Sequence, residues 1–157
     1  MKRLAGVALV FVAACSSTLT YVRPTTSPSV DTVSVWAPRS EIVRAAKRVL
    51  AAEGYQILSA DDSAGVVSTV LRAQRLTAEQ ADCGKTQGID YLTDNRTTTR
   101  VGFNVVAGDS TLAVRAVIEG EFKPKDREEF YNISLTCVSR GVLEKDVTSR
   151  ILAGMQR

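Results

Sequence analysis

Thr97-Thr98-Thr99-Arg100-Val101-Gly102-Phe103-Asn104-Val105-Val106-Ala107 and Thr111-Leu112-Ala113-Val114-Arg115-Ala116-Val117-Ile118-Glu119-Gly120-Glu121-Phe122, parted by Gly108-Asp109-Ser110, decide the fold. Val101, Phe103 and Val105 alternate with Arg100, Gly102 and Asn104. Beyond the turn, Leu112, Val114, Ala116, Ile118 and Phe122 oppose Arg115, Glu119 and Glu121. Successive side chains of a strand point to opposite faces, so a period of two on both sides of a turn reads as a hairpin. One face is dry and the other wet, which an antiparallel sheet tolerates and a parallel one does not.

Outward from this hairpin the pattern continues. Tyr55 to Ser59 reads as a short strand, Asp61-Asp62-Ser63-Ala64-Gly65 as a turn, and Val66 to Arg75 as a second strand. In that strand Val67, Thr69, Leu71 and Ala73 oppose Ser68, Arg72 and Gln74. Upstream, Thr32 to Trp36 is a β-prone run stopped by Pro38. Ser40 is a plausible N-cap, Ile42, Val43, Ala46, Val49 and Leu50 make one helical face, and Gly54 closes the helix. Downstream, Pro124 to Glu129 is a charged loop, and Tyr131, Ile133, Leu135 and Cys137 form a last alternating strand. Ser139 then caps a helix with Leu143, Val147 and Ile151 at fourfold spacing, broadened by Val142 and Leu152. The expected fold is α+β: an antiparallel β-sheet with two helices packed on one face, in the order β-α-β-β-β-β-β-α, over residues 31–157.

The chain has 157 residues, 45% hydrophobic and 24% charged, with a mean hydropathy of +0.00, which excludes a disordered or fibrous protein. It contains no histidine, so the commonest general base and the commonest metal ligand are missing.

The amino terminus has a separate character. Met1-Lys2-Arg3 is a positive head, and Leu4 to Ala14 is an uncharged run of eleven residues. A membrane-spanning helix needs about 20 apolar residues, whereas a secretory signal needs roughly 7–15 after a charged head. The run ends in Val12-Ala13-Ala14-Cys15, which resembles the lipobox of bacterial lipoproteins. The resemblance implies cleavage after Ala14, a diacylglyceryl group on the Cys15 sulfur, and acylation of the new amino group. Ser16 stands where those lipoproteins carry an inner-membrane retention aspartate, so an outer-membrane, periplasm-facing address is expected, with inner membrane and cell surface as alternatives. Loss of Lys2 and Arg3 with the signal leaves 18 basic residues against 17 acidic, a net charge of +1. With no run of five like charges, nucleic acid is not an expected partner.

Residues 1–14 are therefore expected to be a signal peptide and 15–30 a lipidated cysteine followed by a Ser/Thr/Pro-rich tether. The fifteen residues from Ser16 to Val30 would reach about 45 Å extended and roughly 20 Å as a coil. The other reading has the peptide packed along the domain, docked by Tyr21 and Val22.

In an exported, oxidising setting Cys83 and Cys137 are expected to pair, pinning the long loop from Thr77 to Arg96 against the start of the second helix. A buried free thiol at Cys137 and an exposed one at Cys83 is the alternative. Without histidine neither is an expected nucleophile, and two cysteines 54 positions apart make no zinc pattern. No metal or cofactor is expected. Carboxylate pairs at Asp61 and Asp62, Glu119 and Glu121, and Glu128 and Glu129 leave hydrolysis as a further reading.

Arg72, Gln74, Arg100, Asn104, Arg115 and Glu119 are assigned to the polar sheet face, which is either plain wet surface or a docking face for another envelope protein, with Tyr91 and the 77–96 loop as its rim. Ser40-Glu41-Ile42-Val43, Ala45-Ala46, Gly54-Tyr55 and Ala64-Gly65-Val66-Val67 resemble the opening of small helix-grip domains of envelope lipoproteins, including accessory lipoproteins of the β-barrel assembly machinery. The expected function is that of a non-enzymatic, lipid-anchored envelope protein that binds or supports another protein. The alternative is a lipidic or small ligand held between helix and sheet, in a cavity lined by Ile42, Ala46, Leu71 and Phe103.

Overall fold

A computed structural model describes residues 21–124 and 132–156. In chain order the elements are β1 (Tyr21–Val22), β2 (Asp31–Ser34), α1 (Arg39–Ala52), β3 (Ile57–Asp61), β4 (Val66–Thr69), β5 (Arg72–Ala73), β6 (Ala81–Asp82), β7 (Lys85–Thr86) and β8 (Ile89–Asp90). A 3-10 turn at Tyr91–Thr93 follows, then β9 (Thr97–Ala107), β10 (Thr111–Phe122), β11 (Ile133–Thr136), β12 (Val138–Ser139) and α2 (Val142–Met155). The fold is α+β, with the main sheet antiparallel in the order β11-β10-β9-β4-β3. β2 lies along the first part of β10, which β11 flanks at its other end, and β5 continues the β4 side of β9.

The hairpin of β9 and β10 is the spine. Register pairs Val105 with Val114, Phe103 with Ala116 and Val101 with Ile118, so one face collects the apolar set. Val101, Phe103, Val105, Leu112 and Val114 are buried there with Ile42, Val43, Ala46 and Leu50 of α1 and Leu143, Val147 and Ile151 of α2. α1 packs on β3, β4 and β9, α2 on β10 and β2, and the two helices touch each other. Fully burying each large aliphatic side chain contributes about 1.5–3 kcal/mol, so this seam dominates stability.

Both helix starts differ from expectation. Ser40 is inside α1: Pro38 precedes the first turn, its carbonyl accepting from Glu41 and Ile42, and no side chain caps the helix. Proline's fixed φ sets up the first turn without a capping hydroxyl. α2 starts after Gly141, whose φ of 89° leaves Ser139 outside the N-cap position. Val142 is 48% exposed and lies off the buried stripe. Tyr55 is buried under α1 rather than opening a strand, which begins at Ile57. Tyr131, expected in the last strand, lies outside the described residues, and Cys137 follows β11 instead of ending it.

The long loop is the largest departure. Segment 77–96 is built from β6, β7, β8 and the 3-10 turn, and it captures the peptide expected to be a free tether. Tyr21 and Val22 pair with Thr86 and Lys85. The Asp82 carboxylate accepts from the Thr25 and Thr26 amides and from the Thr26 hydroxyl at 2.9 Å. Its other oxygen accepts from the Gly84 amide at 2.9 Å, an Asx turn that aims the chain into Cys83–Gly84. Backbone groups that a structureless loop would leave to water are thus satisfied locally. Residues 1–20, with the expected signal and Cys15, lie outside the described residues.

Candidate functional site

Cys83 and Cys137 form a disulfide with an S–S distance of 2.01 Å. Cys83 is fully buried, against the alternative that placed it exposed. The bridge ties the 77–96 segment to the chain just beyond β11. Gly120 makes room for it, since a Cβ there would stand 2.6 Å from the Cys137 Sγ. Asp82, beside the bridge, is 4% exposed and 3.5 Å from the Arg140 guanidinium. Burial pushes its carboxyl up, but hydrogen bonds from Gly84, Thr26 and Thr25 outweigh this and hold it below the ordinary value.

The sheet face opposite the helices carries no layer among the described residues. On it Arg100 and Glu119, directly opposite in register, form an ion pair at 2.6 Å. Arg115 and Asn104 are a second cross-strand pair, both exposed. Val106 and Val117, 47% and 38% exposed, add apolar patches to the same face. Where β11 joins, a cavity of about 480 Å³ is lined by Thr98, Arg100, Glu119, Gly120, Glu121, Ser134 and Leu135. Four of the expected residues, Arg100, Asn104, Arg115 and Glu119, are therefore brought together.

Arg72, Gln74 and Tyr91 are not on this face. From Ser68 to Arg72 the chain advances four residues while its partner strand advances only three, from Asn104 to Val101. One extra residue is a β-bulge, and a one-residue slip turns every later side chain to the other face. Arg72 therefore sits opposite the buried Val101, on the helix side. It lies 4.3 Å above the Tyr55 ring and donates to the Glu53 carbonyl at the end of α1 at 2.7 Å. Gln74 accepts from the Tyr55 hydroxyl at 2.7 Å. Burial raises the Tyr55 phenol above its ordinary value, with the Arg72 charge opposing. Tyr91 is buried against the rings of Tyr21 and Phe122 at 5.9 and 5.0 Å, a core position and not a rim. Its aromatic ring gains more from burial than from a place in water.

Three features carry signals that periodicity does not weigh. Asp82 directly precedes Cys83-Gly84, an Asx-turn sequence. Glu144 stands on the apolar stripe of α2, three residues before Val147, and is fully buried. Its two oxygens accept from the Ala116 amide at 3.2 Å and the Ser139 hydroxyl at 2.5 Å. Ala116 lies where the edge of β10 is bare of partners, between its pairings with β2 and β11, and the carboxylate fills that gap. Trp36, the sole tryptophan, is 96% exposed beside a groove of about 370 Å³ lined in part by Glu41, Leu152 and Met155.

The carboxylates named for hydrolysis are engaged otherwise. Hydrogen bonds from the Ser63 side chain, then the Ala64 and Ser63 amides, lower the Asp61 carboxyl, opposite to what a general acid needs. Asp62 pairs with Lys47 at 2.8 Å and Glu121 with Lys123 at 3.7 Å. Glu128 and Glu129 lie outside the described residues. Between α1 and the sheet, Ile42 and Ala46 have no exposed surface and Phe103 has 2%, so no water-sized void borders the first two. Among the described residues, no helix is long and apolar enough to cross a membrane.

No family model matches the chain, and no curated protein does either. Among solved structures it is similar to a TBP-like protein from Parabacteroides distasonis ATCC 8503, with 9% identity and a TM-score of 0.48 over 82% of this chain and 92% of that one.

Proposed function

We propose that this chain is a lipid-anchored envelope protein, attached through Cys15 to the outer membrane on its periplasmic side, whose domain works by binding another protein. The carrying observation is Val12-Ala13-Ala14-Cys15 at the end of an eleven-residue apolar run behind Lys2-Arg3. Two or more acyl chains anchor stably where one holds only marginally. The Cys83–Cys137 bridge supports export, because disulfides persist in oxidising compartments. The bare sheet face with Arg100, Asn104, Arg115 and Glu119 supports docking in place of catalysis, and the filled space beneath Ile42 and Ala46 favours it over a ligand held between helix and sheet. Mass spectrometry of the mature amino-terminal peptide tests the anchor. It should begin at Cys15 and carry acyl mass, and Cys15→Ala should remain uncleaved or soluble; an unmodified thiol still joined to Ala14 overturns the reading.

A further inference from the structure

We propose that the β1–β7–β8 sheet rests in the headgroup layer of the bilayer that holds Cys15, so that the domain stands with its main sheet upright on the membrane. This rests on the lipid-anchor reading. The docking of Tyr21 shortens the link decisively. Only Ser16 to Thr20 separate Cys15 from Tyr21, and a chain of that length reaches at most about 20 Å even when fully extended. The acyl chains therefore hold β1 near the bilayer surface, where a free tether through Val30 would have let the domain drift well clear.

The hairpin brought there suits tip-first entry into a lipid interface, with exposed apolar side chains on both of its faces. Register places Tyr21, Thr86 and Ile89 on one face of the small sheet and Val22, Lys85 and Asp90 on the other. Tyr21, Val22 and Ile89 are 38%, 48% and 59% exposed. Tyrosine favours the membrane–water boundary, and exposed Arg23 and Lys85 add cations that anionic headgroups attract. Gln87 and Gly88 form a two-residue turn with φ of 49° and 80°, and a Cβ at Gly88 would meet nothing within 4 Å, so the tip projects freely. The hairpin is not a loose arm: Cys83, two residues before β7, is bridged to Cys137.

The other pole is then fixed. Tyr91 next to β8 touches Phe122 at one end of β10, whereas Val35 bonds Ser110 just before its other end. The twelve residues of β10 span about 36 Å at roughly 3.3 Å per step. Trp36 lies at the membrane-distal pole, and the open sheet face looks sideways, within reach of a neighbouring envelope protein.

Trp36 supplies the internal control. The lipidated full-length protein is reconstituted in vesicles of phosphatidylethanolamine and phosphatidylglycerol with brominated acyl chains, as the wild type and as a Trp36→Phe, Ile89→Trp variant. Flotation and intact mass report the anchor in the same samples. The brominated chains should remove most of the fluorescence at position 89 and leave Trp36 unquenched. A floating, acylated protein unquenched at position 89, or quenched equally at both, overturns the orientation while the anchor stands. A protein without acyl mass that fails to float overturns the anchor reading and this proposal with it.

Discussion

Glu144 shows how much one side chain decides. A fully buried carboxylate is costly unless its oxygens are paired, and here both are, to Ala116 on the sheet and Ser139 before the helix. Glu144→Ala leaves the buried Ser139 hydroxyl and the half-buried Ala116 amide without their acceptor and should destabilise the domain by about 2–4 kcal/mol, read as a lowered urea midpoint with unchanged slope. Glu144→Gln keeps one carbonyl acceptor and should cost less than half of that. Asp82 makes stability depend on pH. Its carboxyl is held below the ordinary aspartate value of 3.8, so the charged form is favoured by folding. The contribution is complete above that value and is lost as pH falls through the lower, folded one. Urea unfolding stepped from about pH 7 to 3 should show a fall at the acid end that Asp82→Asn reduces, the variant being less stable at neutral pH; an unchanged acid slope would refute this. Neither residue was legible from periodicity. Glu144 interrupts an apolar stripe, and Asp82 looks like an ordinary turn aspartate until its partners, 56 and 57 residues away, are known.

At the scale of elements, strong patterns survived and weak ones did not. The strands of the spine are half exposed, so their alternation records the two environments directly, and both helices are legible in their buried stripes. The two-residue strands have no period to read; β1 against β7 and β6 against β12 are held by Asp82 and the disulfide, which act across the chain. The bulge before β5 is equally silent, because one inserted residue leaves composition unchanged while it turns Arg72 to the helix side. That position sets Arg72 over the Tyr55 ring and lets it donate to the Glu53 carbonyl at the end of α1 and to the Gln74 side chain. Arg72→Ala should cost about 0.5–1.5 kcal/mol in a melting or urea experiment, and Arg72→Lys should recover only part, lacking a planar group to stack. The disulfide matters more. Closing a loop over a separation of 54 residues is worth up to about 4 kcal/mol on the chain-entropy model. Cys83→Ala with Cys137→Ala should lower stability toward that figure. Amide exchange should rise first in 21–26 and in the exposed hairpin 85–90, which pair with one another and not with the main sheet. Uniform acceleration across β9 and β10 would mean that the bridge supports the whole domain equally.

For the whole molecule, the uneven distribution of layers matters most. Two helices cover one side of the sheet and leave the other to solvent, an arrangement stable in itself because the outer residues are largely polar. On the proposed docking role, Val106 and Val117 among those residues would give a partner apolar surface to bury, and Arg100, Arg115 and Glu119 charges to match. Such a face should be separable from folding. Exposed charges contribute little to stability, so Arg100→Glu with Arg115→Glu should shift the unfolding free energy by no more than about 1 kcal/mol. The same pair reverses the sign of the face and should weaken docking, since like charges set against a partner's complementary surface cost several kcal/mol. A photoactivatable side chain at Asn104, directly opposite Arg115, should crosslink an envelope protein in intact cells. That adduct should disappear in the double variant while the unfolding midpoint and the amount of membrane-bound protein stay unchanged. If the adduct persists at the wild-type level, the face does not carry the docking; if the variant unfolds, its charges hold the sheet together and the separation of surface from core is wrong.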